Sequence, residues 1–194
     1  MTHSVKTIEQ KLEGRLHEKD LSEIANLAED NANGLIDLLL RHIFEETDDP
    51  VAKKASDNAT WVTQHLHPKD RTTYVYPHKA QFMRLAIDTK SPSKQRILLS
   101  MLRETEFDKT ELQTDFIDFC LTTMLSCDHP VGIRALCIHL AYKQCRHYPE
   151  LAQELKQQLG LMEDDLLPPG LKSAKTNTLK LINKLRYEEG EKLD

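Results

Sequence analysis

PVGIRALCIHLAYKQC, residues 130–145, is the stretch that decides the fold. Ile133, Leu136, Cys137, Leu140 and Ala141 recur at i, i+3, i+4, i+7 and i+8, one apolar face of a 3.6-residue helix. Val131, Ala135, Ile138 and Tyr142 cover much of the remaining circumference. A helix that is apolar on most sides has to be packed on most sides, so this one is expected at the centre of a helical assembly. Pro130 marks its head, because the missing N–H of proline costs nothing in the first turn of a helix.

The same phrase recurs along the chain. PVAKKAS begins at Pro50, PSKQRIL at Pro92, PVGIRAL at Pro130 and PGLKSAK at Pro169, at spacings of 42, 38 and 39 residues. The fourth residue after proline is basic in three of them (Lys54, Arg96, Arg134), and the fifth is small or apolar in all four (Ala55, Ile97, Ala135, Ala174). Between these heads the periodicity predicts helices over about 4–17, 20–30, 33–46, 50–66, 77–88, 92–105, 111–127, 130–147, 149–159 and 170–187. Asp49 and Ser91 stand where N-caps are needed. Two helices per period of about 40 residues is the mark of a solenoid, in which no helix pair buries its apolar face alone and stacking supplies the core.

Asp49-Pro50 followed by Lys54-Ala55, with its echoes at Pro92 and Pro130, resembles the second helix of a HEAT repeat. The run from Val131 to Leu159, the Arg146-His147-Tyr148-Pro149-Glu150-Leu151 link, the last helix from Leu171 to Leu185 and the Ala59-Thr60-Trp61-Val62-Thr63-Gln64 segment are similar to short HEAT-like proteins common in Bacteroidetes. The resemblance covers about residues 50–187. It implies an all-α fold, a right-handed α-α superhelix of about four to five helix pairs, and brings no established activity with it.

Composition narrows the function classes. Among 194 residues, 39% are hydrophobic and 29% charged, the balance of a globular protein. The six glycines (14, 34, 132, 160, 170 and 190) are scattered, so the glycine patterns of dinucleotide sites, phosphate loops and nucleophile elbows are absent. No signal-peptide core and no membrane-length apolar run is present, so a cytoplasmic location is expected. Cys120, Cys127, Cys137 and Cys145 form no CxxC pair and are read as core residues. His65, His67, His129 and His147 supply no convergent ligand pairs beside them, so no metal or cofactor is expected.

The formal charge of −5 hides a pattern: residues 1–49 hold 12 acidic and 5 basic groups, residues 50–103 hold 3 and 10, and residues 104–194 hold 16 and 11. A positive middle segment containing Trp61, Tyr74 and Tyr76 is either an ordinary solvated face or a contact surface for something acidic. Lys54, Arg96 and Arg134 come from equivalent repeat positions and are read first as a structural row paired with acids such as Asp48, Asp49 or Asp128, second as a row facing a ligand. Trp61 is read first as a core residue and second as an aromatic contact. Asp57, Trp61 and Arg96 also caricature the carboxylate, aromatic and arginine set of HEAT-like alkylpurine DNA glycosylases, but those enzymes are basic overall and carry more than one tryptophan.

The expected organisation is a single HEAT-like domain over 1–194, with acidic capping helices over 1–49, a repeat core over 50–187 and a polar tail over 188–194. The leading function is a non-catalytic interaction module that receives a protein or peptide on a concave face lined by helices 50–66, 92–105, 130–147 and 170–187, with Lys54, Trp61, Arg96 and Arg134 as binding residues. No catalytic residue is assigned. Nucleic-acid binding through residues 50–103, with or without glycosylase chemistry, is the alternative. A monomer or weak homodimer away from membranes is expected.

Overall fold

The computed structural model describes the backbone of residues 3–190 and the side chains of residues 6–185. No strand occurs among the described residues. The helical segments are α1 (His3–Glu13), α2 (Glu18–Leu27), α3 (Leu35–Phe44), α4 (Pro50–His65), the single turn α5 (Pro68–Asp70), α6 (Lys79–Asp88), α7 (Pro92–Glu104), α8 (Thr114–Leu125), α9 (Val131–Cys145), α10 (Pro149–Gly160) and α11 (Pro169–Gly190). They divide into two compact units, residues 1–102 and residues 103–194.

Most expected helices appear within a few residues of their predicted ends, and the differences have local causes. The first helix stops at Glu13 because Asp20 accepts from the His17 amide at 3.0 Å and starts α2 there. The eighth begins at Thr114 rather than near 111, because Glu111 reaches back to the Asp108 amide at 2.9 Å and closes a separate short turn. The last runs to Gly190, three residues into the segment read as a tail, and residues 191–194 of that tail lie outside the described residues.

The link after Leu66 is not plain coil. Past α5 it widens into an i→i+5 turn over Arg71–Val75 and tightens over Tyr76–His78. Between α2 and α3, Asp30, Asn31, Asn33 and Gly34 take φ of 51, 55, 58 and 69°. That left-handed run suits the short polar side chains of Asn and Asp, and Asn31 secures it by accepting from the Ile36 amide at 2.8 Å.

One device closes the helix pairs. The last carbonyls of a helix have no intrahelical partner, and in each pair the second helix supplies a side-chain donor to the end of the first. Ser56 of α4 donates to the Ile43 carbonyl of α3 at 3.4 Å. Gln95 of α7 donates to Ala86 of α6 at 2.9 Å. Arg134 Nε of α9 donates to Met124 of α8 at 3.1 Å. Lys175 of α11 donates to Met162, just past α10, at 2.6 Å and to Asp164 at 2.7 Å. The pairs α3/α4, α8/α9 and α10/α11 pack against each other, α6 and α7 are joined by the Gln95 bond, and each second helix has proline at its head.

In the N-terminal unit α4 is the hub, packed against α1, α2 and α3. Asn58 bonds the Leu12 and Gly14 carbonyls at 2.6 and 3.0 Å, which ties the end of α1 to it. In the C-terminal unit α9 is the hub, packed against α8, α10 and α11. No side chain from Ile133 to Cys145 is exposed, as the apolar circumference of this helix requires. The repeat is visible in register as well. A Cβ placed on Gly170 would lie 4.0 Å from Val131 Cγ1, and both residues directly follow the head proline of their repeat.

His139 is half-buried on α9, and burial, aided by the Arg103 guanidinium, holds its imidazole below the usual 6.5. The neutral ring is therefore favoured in the folded state, and the unfolded chain takes up this proton first as pH falls. Stability from this source is full above 6.5 and declines as pH drops through the lower folded value. Urea unfolding on either side of the usual histidine value is expected to show this slope, and His139→Gln to flatten it.

Candidate functional site

Counting from proline makes Lys54, Arg96 and Arg134 equivalent, but the structure separates them. Arg134 is 8% exposed and bound to the Met124 carbonyl, whereas Lys54 and Arg96 are exposed. The acids expected to pair with the row are engaged otherwise. Asp48 meets Lys53 at 3.1 Å, Asp49 caps α4 by accepting from the Ala52 amide at 2.8 Å, and Arg134 turns to a carbonyl rather than to Asp128.

The buried cation of the second repeat is Lys94, two residues before Arg96. Its Nζ donates to Ser56 Oγ at 2.5 Å and to the Ile43 carbonyl at 3.3 Å. Burial lowers its pKa, and the nearby Asp57 carboxylate partly offsets this. Proline counting missed Lys94, but a signal for it existed. Lys94 and Gln95 lie four residues ahead of Leu98 and Leu99, on the buried stripe of α7, whereas Arg96 lies four ahead of Ser100.

The Lys94 latch sets the start of α7 beside the turn of α4 around Ser56. A second bond, Ser91 Oγ to Asp57 Oδ2 at 3.0 Å, fixes the same junction. Asp57 is thus spent on the first turn of α7, and the catalytic carboxylate of the glycosylase-like trio has a structural bond instead. Trp61, one turn further along α4, is half-buried rather than enclosed in the core. The His65 ring stands edge-on to its indole, 6.4 Å between centroids, held by a 2.9 Å bond between His65 Nδ1 and the Trp61 carbonyl.

The positive segment is partly neutralised from within. Lys53 and Lys69 pair with Asp48 and Asp30 of the acidic N-terminal stretch, the latter at 2.8 Å. Arg71 bonds the Gln64 and Leu66 carbonyls at the end of α4 at 2.5 and 3.1 Å, and Lys94 is buried. Lys54, Arg84, Lys90, Arg96 and Arg103 are exposed and have no acidic partner among the described residues. That is a small set of cations for tracking a nucleic-acid backbone, whose binding strength grows with each phosphate neutralised.

The cysteines divide as well. Cys120, Cys137 and Cys145 are buried and Cys127 is exposed. Burial, with Cys137 alongside, pushes the Cys120 thiol well above its usual range, and burial pushes Cys145 up to about 12. Thiols held protonated in this way are poor nucleophiles and poor metal ligands. Among the described residues no three His, Cys, Asp or Glu side chains gather to hold a metal ion, and no helix is long and apolar enough to cross a membrane.

A family model described as HEAT repeat domain matches residues 8–182. The match begins inside α1, within the stretch read from the sequence as a cap, and so includes more of the chain than the resemblance at 50–187. No curated protein and no solved structure matches the chain.

Proposed function

The chain belongs to the HEAT repeat domain family, and from that premise we propose that it is a non-catalytic interaction module that receives a protein segment on the outward strip of α4 and the adjoining start of α7. Binding by a repeat surface is an argument from fold. The observation that carries it here is Trp61. A half-buried tryptophan, with part of its ring open to solvent, stands on the hub helix of the N-terminal unit. Large aromatic side chains left partly open to water are common anchors of protein interfaces. In this reading the acidic helices over 1–49 cap the array, and the protein works as a monomer or weak homodimer.

A photo-crosslinking residue placed at Trp61 or at Arg96 is expected to capture a protein partner from the native lysate. The same residue at exposed Gln81, on the first helix of its pair, is expected to capture none. Trp61→Ala is expected to lower stability by about 2 to 3 kcal/mol, less than truncation of a fully enclosed tryptophan, because the side chain is half-buried, while abolishing the adduct at Arg96. Equal capture from Gln81, or unfolding by Trp61→Ala, would set the reading aside.

A further inference from the structure

We infer that Cys120 and Cys137 are an oxidisable pair, which a low-molecular-weight disulfide converts into one covalent staple between α8 and α9. The pair lies in the C-terminal unit, and nothing in it depends on the surface proposed above.

Two bonds set the register of these helices. At the start of α8 the Gln113 amide donates at 3.0 Å to Oε1 of Gln144, the next-to-last residue of α9. At the other end Arg134, in the first turn of α9, donates to the carbonyl of Met124, the next-to-last residue of α8. The two helices therefore run antiparallel. Seven residues forward from Gln113 is Cys120, and seven back from Gln144 is Cys137. Equal steps bring both to one level, about 10 Å along each helix from the first bond.

Seven residues are also close to two full turns. Cys137 thus lies on the stripe of α9 that carries Gln144 and, three residues earlier, Arg134, the side chains that α9 turns toward α8. Cys120 lies on the buried stripe of α8, one turn from Phe116 and one from Met124. Both cysteines are fully buried, and Cys137 stands beside the Cys120 thiol. Cys127 is exposed beyond the end of α8. Cys145 is buried, but eight residues past Cys137, about 12 Å further along α9.

Neither Cys120 nor Cys137 meets solvent in the closed hairpin, and burial keeps Cys120 protonated, so the reaction waits on the parting of α8 from α9. One cysteine then loses its proton and attacks a sulfur of the oxidant, giving a mixed disulfide and one small thiol. The other, held on the same hairpin, loses its proton, attacks the protein sulfur of that mixed disulfide and expels a second small thiol. Two S–H bonds are lost from the protein and one S–S bond forms between the helices. The oxidant's S–S bond ends as two thiols that carry both protons. The new bond closes the chain from 120 to 137 into a loop, so the unfolded state loses freedom and the oxidised hairpin opens less readily.

The test uses the full chain with Cys127→Ser, which removes the exposed thiol and leaves the core as it is. The chain is incubated with oxidised glutathione, quenched in acid, unfolded, alkylated and mapped by mass spectrometry without reduction. The expected product is a linked pair of peptides holding Cys120 and Cys137, with Cys145 fully alkylated. The urea midpoint of the oxidised chain is expected to lie above that of the reduced chain, and dithiothreitol to restore the lower value. A link through Cys145, a lasting mixed disulfide with glutathione, or no loss of thiol overturns the inference. A lower midpoint after oxidation also overturns it, since the bond would then form only in chains that fail to close.

Discussion

Arg134→Met is expected to destabilise the C-terminal unit by about 2 kcal/mol, whereas Lys54→Met and Arg96→Met stay within about 0.5 kcal/mol of the parent. The three residues occupy the same place in the repeat phrase, so the difference comes from environment alone. Arg134 is 8% exposed, and its Nε donates at 3.1 Å to the Met124 carbonyl near the C-terminal end of α8. There it satisfies an acceptor that the helix itself cannot serve, and a cation also suits the negative end of the helix dipole. Methionine keeps much of the apolar stem but leaves the carbonyl without its donor. Lys54 and Arg96 lie in solvent, and their removal orphans nothing. Arg134→Lys keeps a charged donor and is expected to lose less than the methionine variant. Urea unfolding of the four variants checks the order. A loss at Arg96 equal to that at Arg134 would mean that the row acts as one structural unit after all.

This contrast shows where the sequence was legible. The four prolines announce helix heads, because the physics of proline at a first turn is local, and the heads appear where expected at Pro50, Pro92, Pro130 and Pro169. The central place of α9 was legible for a similar reason, since an apolar circumference has only one use. The identity of the buried cations depends instead on helix phase, which proline does not fix. Pro50, Pro92 and Pro169 are the first residues of their helices, but Pro130 precedes α9 as its N-cap. A count from proline is therefore out of step by one residue, enough to turn a side chain by about 100°. Lys94, Arg134 and Lys175 share the task of meeting a preceding carbonyl, yet they stand at the second, fourth and sixth positions after their prolines. The exposure of Trp61 was less legible still, because an isolated tryptophan on a helix fits a core and a surface equally well, and only the packing of α1 and α7 around α4 decides between them.

Truncating the centre of α9 is expected to have the largest effect of any single change: Ile138→Ala should cost about 3 to 4 kcal/mol. Ile138 is fully buried and lies outside the five-residue face that first marks the segment as a helix. On an ordinary amphipathic helix such a position faces water, and its truncation costs little. On α9 it is enclosed, because α8, α10 and α11 pack around the helix. The removed methyl and methylene groups leave a cavity that three surrounding helices limit from collapsing, which adds to the lost transfer energy. Leu151, half-buried on α10, is the control, and Leu151→Ala is expected to cost roughly half as much. Chemical denaturation of both variants gives the comparison. If Ile138→Ala cost no more than Leu151→Ala, α9 would be a one-sided helix. The reading of residues 130–145 as the hub of stacked hairpins, from which the repeat register was built outward, would then have lost its anchor.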